Sequence, residues 1–374
     1  MILKLSLGHE EIKKEMKRIS VCYVLSYRFP DYIRTRTLIK ALQNIEDVRV
    51  LEARNSSKGF VRYFQTVGKL IVIRAFCHPD YYLLGFRGDE LFWIVRLITL
   101  GKPLIFDHMM SPYDSLLNER KAIRKGGLIA RLFYLYEKAT LHCSRMVLTD
   151  TDLHREYFRE LFCVAPEKVI AIPVGTDEDV FHPMKPERAP DRPSTFEVLF
   201  YGSFLPLHGV EVILKAASLL RDLPIHFTLI GGYKGNLSGT HQTIKQLDLQ
   251  NVTLAPWVEL ETLPRLISGA DLILGGPFGD TGQAHRVVTG KTFQVLAMAK
   301  PVIIGESGGN YGFEDKTNCL VIPQGDAGAL AQAIDWAFHH RAELTRLGQH
   351  GYDLYQSRYS IRQIEKRLRE SLFS

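Results

Sequence analysis

Cysteine is scarce and scattered in this 374-residue chain. Its five copies, Cys22, Cys77, Cys143, Cys163 and Cys319, are odd in number and form no C-x-x-C pair. That argues against a disulfide framework and a cysteine-based zinc site, and points to reduced thiols in the cytoplasm. Long apolar runs are missing too. The longest, Leu91 to Leu100, is short and carries Arg96, so no membrane-spanning helix is expected. The first residues, with Lys4, Lys13, Lys14, Lys17 and Arg18, have no apolar core of a signal peptide. No low-complexity tract and no solenoid-like repeat is visible. The net charge of +6 is too mild to mark a nucleic-acid binder, and no nucleic-acid partner is expected. It suits anionic small molecules or an anionic membrane surface.

What is present is apolar material in quantity: 46% of residues are hydrophobic and 24% charged, enough for two cores in a chain of this length. Short β-branched runs such as "ISVCYVLS", "KLIVIRAF", "KPLIFD", "RMVLTD" and "KVIAIPV" alternate with helical patterns such as "RTRTLIKALQNI" and "LHREYFRELF". That alternation predicts a doubly wound α/β domain over residues 19–180, after a charged, helical extension at 1–18. The proline-rich, charged stretch 181–195 reads as a linker. The pattern then restarts over 196–352 with "FEVLFYG", "IHFTLIGG", "NVTLAP" and "DLILGG", and a last helix occupies 353–374. Two such domains leave a cleft, and ligands of open α/β sheets bind at the carboxyl ends of the strands.

Several loops after strands could line that cleft. Gly202-Ser203-Phe204-Leu205-Pro206-Leu207-His208-Gly209 links a strand to a helix. Its glycines and the helix start could receive an anion, or the loop could be a plain turn. In "LIGGYKG", Gly231 and Gly232 follow a buried strand without completing a G-x-G-x-x-G motif. Arg286 and Lys291 flank Gly290 just before a helix, where a cation is unfavourable unless an anion is bound. Gln294, one turn in, could hold a sugar hydroxyl. Asp107 and His108 end a strand of the first domain, where a sugar contact or a proton acceptor would sit. Helix capping explains them about as well. The D-x-D at Asp150 to Asp152 could suggest a metal, but Thr151 or Asp152 as a helix N-cap explains it better. Asp177-Glu178-Asp179 reads as a turn.

In order and spacing, "FYGSFLPLHGVEVILKAASLL", "FTLIGG", "ADLILGG", "TGKTFQVLAMAKPVIIGES" and "VIPQGDAGALAQAI" resemble the nucleotide-binding domain of family 4 glycosyltransferases. "KVIAIPVGTDEDVFHP" resembles the family's domain-linking segment, and "VCYVLSYRFPDYIRTRTLIKAL" is similar to the start of bacterial members. The resemblance implies an α/β GT-B fold of two Rossmann-like doubly wound domains facing across a cleft. It implies a nucleotide-sugar donor in the second domain, an acceptor in the first and retention of configuration. No metal and no cofactor are implied, the donor being a substrate. The closing helix would cross back to the first domain.

The family's phosphate-binding Arg and Lys correspond here to Ser203 and His208, and its E-x7-E glutamates to Arg286 and Gln294. Positive charge is therefore expected from Arg286 and Lys291. By the same resemblance Gly202, Ser203, His208 and Gly209 would meet the diphosphate, with Gln294 on the ribose. Gly231, Gly232 and Trp257 would border the nucleotide, and Asp107 and His108 would face the transferring sugar. The resulting expectation is a cytoplasmic glycosyltransferase of cell-surface glycan biosynthesis, acting on a glycan, a lipid-linked sugar or a small molecule. The replaced glutamates keep a non-catalytic nucleotide-sugar-binding subunit as an alternative, and an epimerase shares the fold.

Finally, residues 118–145 are rich in Lys and Arg beside Leu128, Ile129, Leu132 and Phe133. This reads either as an ordinary helix packed inward or as a peripheral contact with the inner membrane.

Overall fold

The structure is a computed structural model, and it describes residues 18–119, 122–185, 195–232 and 234–373. The expected N-terminal extension, most of the linker, and Arg120 and Lys121 lie outside the described residues. The first sheet consists of β1 (Ile19–Leu25), β2 (Val48–Arg54), β3 (Tyr81–Leu84), β4 (Leu104–Asp107), β5 (Met146–Thr149) and β6 (Val169–Ala171). Its spatial order is β2-β1-β3-β4-β5-β6. The second sheet holds β7 (Phe196–Gly202), β8 (Ile225–Gly231), β9 (Val252–Ala255), β10 (Leu272–Leu274), β11 (Val302–Gly305) and β12 (Leu320–Ile322), in the order β12-β11-β10-β7-β8-β9. The ladders of both sheets are parallel. Buried parallel strands need apolar side chains on both faces, which is why they read as near-continuous runs in the sequence.

The first sheet carries α1 (Ile33–Asn44), α2 (Val61–Phe76), α3 (Phe92–Ile98), α4 (Leu128–Cys143) and α5 (Asp152–Phe162). Around the second lie α6 (Val210–Leu219), α7 (Lys234–Gln246), α8 (Leu263–Gly269), α9 (Gly290–Ala297) and α10 (Ala327–His339). The chain closes with α11 (Arg341–Arg358) and α12 (Ile361–Leu372). Parallel strands are joined by right-handed crossovers. The step from β1 to β2 runs opposite to every later step in the first sheet, so α1 lies on one face and α2 to α5 on the other. Packing agrees. Leu38 and Leu42 of α1 share a core with Ile364 and Leu368 of α12, whereas Leu70 of α2 packs with Phe92 and Val95 of α3 over Phe106.

One element differs in kind from its local pattern. "KLIVIRAF" reads as a strand but forms the second half of α2. A short β-branched run cannot be separated from a helical segment by periodicity alone, and here tertiary context decides. β2 and β3 lie outside the β-branched runs named above.

The acidic turn at 177–179 has a structural task. Glu178 accepts hydrogen bonds from Tyr355 Oη at 3.0 Å and from the Ile361 backbone amide at 2.8 Å. Asp177 accepts from Arg36 at 3.1 Å. The turn thereby anchors the junction of α11 and α12, and α12 lies against α1 of the first sheet. The D-x-D segment is a cap: Thr151 Oγ1 accepts from the His154 amide at 3.1 Å, and Asp150 pairs with His154 at 2.6 Å.

Candidate functional site

The carboxyl ends of β7 and β8 meet the start of α9, and most of the expected second-domain residues converge there. The Gly232 amide donates to the Gly202 carbonyl at 2.9 Å, joining the two glycine loops. Gly231 has φ +114°, and a Cβ on it would collide with the Gly202 carbonyl and stand 3.0 Å from Trp257 Cε3. Only glycine fits both that conformation and that approach. Trp257 presents a broad ring beside it at 61% exposure. Ser203 sits half-buried on the same loop. Gly209 takes φ +64° directly before α6 and packs against the backbone of Phe278 and Gly279.

At the floor of this junction stand two nitrogens. A Cβ built on Gly202 would lie 3.3 Å from His208 Nδ1 and 3.6 Å from Lys291 Nζ. Lys291 occupies the first turn of α9, whose N-cap Thr289 accepts from the Thr292 amide. It is not the exposed loop lysine that its flanking glycine suggests, but a buried one, 5.3 Å from the Phe200 ring centroid. Among the described residues no carboxylate pairs with it. Burial without a counter-charge lowers its pKa from 10.5 to about 7. His208 is buried with Nδ1 unpartnered. Burial first, and then the Lys291 charge, push its pKa well below the ordinary histidine value, so the ring is neutral. A buried cation at a helix start, an unpaired imidazole nitrogen and glycine backbone are groups that can receive an anion.

Gln294, one turn further along α9, is also buried, and its Oε1 accepts from Tyr201 Oη at 2.9 Å. That leaves the amide nitrogen to donate. Tyr201 carried no signal in the sequence, being one apolar strand residue among several.

Three expected residues lie elsewhere. Asp107 does not face a sugar: it is fully buried and paired with Arg34 at 2.8 Å, and Arg34 Nη1 also donates to the carbonyls of Ile172 and Pro173. The strand end that was expected to open into the cleft is instead closed by this guanidinium, so Asp107 ties α1 to the sheet. His108 is likewise buried, at 2.9 Å from Glu137 and 3.2 Å from Asp89. Burial alone would lower its pKa, but the two carboxylates outweigh burial and raise it to about 10. A charged, doubly paired imidazolium has no free lone pair with which to accept a proton. Its expected place facing the sugar is therefore corrected to a structural one.

Arg286, expected on the diphosphate, crosses to the first domain. Its guanidinium pairs with Asp114 and lies 4.1 Å from the Tyr157 ring centroid, while its carbonyl accepts from Thr151 Oγ1 at 2.6 Å. Asp114 and Glu137 sit on a short helical turn and on the inner face of α4, and neither showed itself in the sequence. Of the two cations flanking Gly290, only Lys291 joins the glycine loops.

Comparisons with known proteins concern the fold and the second domain. Residues 195–340 match the family model Glycosyl transferases group 1. The D-inositol 3-phosphate glycosyltransferase of Kineococcus radiotolerans is 28% identical over 193 residues, 46% of this chain and 42% of that protein. The chain thus matches less than half the length of that relative. Sucrose-phosphate synthase from Thermosynechococcus elongatus superposes with a TM-score of 0.73 at 16% identity, covering 94% of this chain and 98% of that one. Anabaena HepE, solved in complex with UDP-glucose, superposes with a TM-score of 0.71 at 14% identity, covering 95% and 99%. These likenesses establish the two-sheet GT-B architecture over the described residues. The glycine loops, Lys291 and Gln294 all lie within residues 195–340, the part of the chain that matches the Glycosyl transferases group 1 model.

Proposed function

We propose that this protein is a retaining glycosyltransferase that moves a sugar from a nucleotide-sugar to a glycan, lipid-linked or small-molecule acceptor in the cytoplasm, for cell-surface glycan assembly. The observation that carries the reading is the Lys291–His208–Gly202 junction: a buried ammonium with no carboxylate partner among the described residues, beside glycine backbone at a helix start. Such a site is complementary to a diphosphate. In the transfer, the bond between the anomeric carbon and the donor phosphate oxygen breaks, and the nucleotide leaves with the electron pair. The acceptor hydroxyl bonds to the same carbon and passes its proton to the departing phosphate oxygen. Lys291 and the loop amides would offset the charge growing on the leaving diphosphate, which is electrostatic catalysis. Gln294 would donate to the ribose, with Gly231, Gly232 and Trp257 around the base. Ser203 and Gly209 would complete the phosphate loop. UDP-glucose in HepE supports testing uridine nucleotides first.

The replacement of both motif glutamates by Arg286 and Gln294 favours one second reading, a binding subunit without turnover. One experiment separates the two. Thermal shift against UDP-, GDP-, ADP- and dTDP-sugars identifies the donor, a ligand at 100 times its Kd adding about 2.7 kcal/mol. Slow release of free sugar and nucleotide from that donor is expected of the transferase. Binding without release identifies the subunit, and no stabilisation by any donor rejects both.

A further inference from the structure

Apolar side chains on surface helices normally face the core. On three successive helices of the first domain they face out as well. On α2, Phe64 is 78% exposed and Phe76 81%, with Ile71 and Val72 exposed between them. Trp93 and Ile94 of α3 are exposed beside Leu97 at 73%, and Leu128 of α4 is 75% exposed with Leu132 and Leu135 following at helical spacing. Among the described residues, only Phe29, Met184, Leu219 and Trp257 are exposed large apolar side chains away from these helices and their ends.

The three stripes form one surface. Right-handed crossovers put α2, α3 and α4 on the same side of the sheet. Arg74 at the end of α2 donates to the Leu100 carbonyl beyond α3, and Tyr136 of α4 donates to the Asp89 carbonyl in the turn before α3. Exposed apolar side chains gathered on neighbouring helices, rimmed by polar residues, mark an interaction surface.

Charge selects the occupant. Residues 55–79, 91–106 and 120–136 contain no Asp or Glu, yet they hold Lys58, Lys69, Arg74, Arg96, Lys125 and Arg131 among their cations. The neighbouring carboxylates are engaged, Glu90 by Arg62 and Asp89 by His108. A second copy of the chain would set cations against cations. We infer that α2, α3 and α4 form a docking face for an anionic lipid surface, with the apolar stripes entering the headgroup boundary and the lysines and arginines on the lipid charge. The face extends well past the basic segment of α4 and does not depend on the donor site.

Co-sedimentation with vesicles tests this. The full chain is mixed with phosphatidylcholine vesicles or with phosphatidylcholine–phosphatidylglycerol vesicles, at low and high salt. Binding is expected on the anionic vesicles, weakened by salt. The triple variant Phe64→Ser, Phe76→Ser, Leu97→Ser should lose about tenfold or more in lipid affinity, and Lys69→Glu with Arg131→Glu should lose a similar factor. Leu219→Ser, an exposed apolar residue of the other domain, should lose nothing. These side chains lie in solvent, and unchanged circular dichroism and melting confirm folding. Equal binding to neutral and anionic vesicles, or none to either, overturns the proposal. So does a dimer in lipid-free sedimentation velocity that the triple variant dissolves, because the face would then be an interface between copies. Nucleotide-sugar thermal shift without vesicles stays independent of every outcome, so failure here is distinct from failure of the transferase reading.

Discussion

The guanidinium of Arg286 closes on the carboxylate of Asp114, 172 residues away in the chain and in the other domain. The pair is largely buried and backed by the ring of Tyr157. A cation that local sequence assigns to a phosphate is thus spent holding the two domains at a defined distance.

This pairing should appear as coupling. In a double-mutant cycle of Arg286→Ala and Asp114→Ala, the two changes are expected to be non-additive by about 1–3 kcal/mol in thermal stability. Each single variant should change donor affinity by less than about 1 kcal/mol, within what a lost contact outside the ligand site costs. A drop in binary donor affinity as large as that of Lys291→Ala would return Arg286 to the diphosphate.

Lys291→Ala is expected to weaken nucleotide-sugar binding by about 1.5–3 kcal/mol, the scale of a charge-assisted hydrogen bond. Isothermal titration of donor into the variant measures it, and an unchanged Kd removes Lys291 from the site.

The same lysine predicts a pH dependence with a definite sign. Burial lowers its pKa from 10.5 to about 7, so between those values the folded chain holds fewer protons than the unfolded one. Stability from this group therefore rises as pH goes from 7 toward 10.5, with a limiting slope of about 1.4 kcal/mol per pH unit. Donor affinity runs the other way: the diphosphate binds the ammonium, so affinity is greatest below pH 7 and falls above it. Lys291→Met should flatten both profiles. A parallel decline of donor affinity in the variant would assign the titration to another group.

His108 has the opposite linkage. Its pKa is raised to about 10, with Asp89 and Glu137 overcoming burial, so the stability it adds is complete below its ordinary value of 6.5 and is lost as pH climbs through 10. His108→Gln leaves Glu137 buried without a counter-charge and should cost about 3–5 kcal/mol near pH 6. Denaturant melts of the two proteins should converge as pH approaches 10. A constant gap would mean that the imidazole is neutral in the fold.

Arg34→Met is expected to be worse tolerated than any surface change. It strands the fully buried Asp107 carboxylate, at about 3–5 kcal/mol. Pairing it with Asp107→Leu should recover much of the loss, because replacing both partners of a buried pair by apolar groups is often neutral. Loss of folding in Arg34→Met without rescue in the double variant would place the importance of Arg34 in its carbonyl contacts.

By itself the sequence determined the local and periodic features. Strand runs alternating with helices specify two doubly wound domains, because buried parallel strands need continuous apolar stretches. Gly209 and Gly231 stand where backbone approaches backbone, and Lys291 stands in the first turn of a helix, where the helix end already carries positive potential. Tertiary structure alone decided partnership and facing. Arg34 and Asp107 lie 73 residues apart, and Arg286 and Asp114 farther still, so no window of sequence could pair them. "KLIVIRAF" is a helix because it lies over β-sheet and beside α3, against its own β-branched preference. The apolar stripes of α2, α3 and α4 have the spacing of any amphipathic helix. That they point away from the core could be decided only by packing, since periodicity reports that a helix has an apolar face and not which way that face turns.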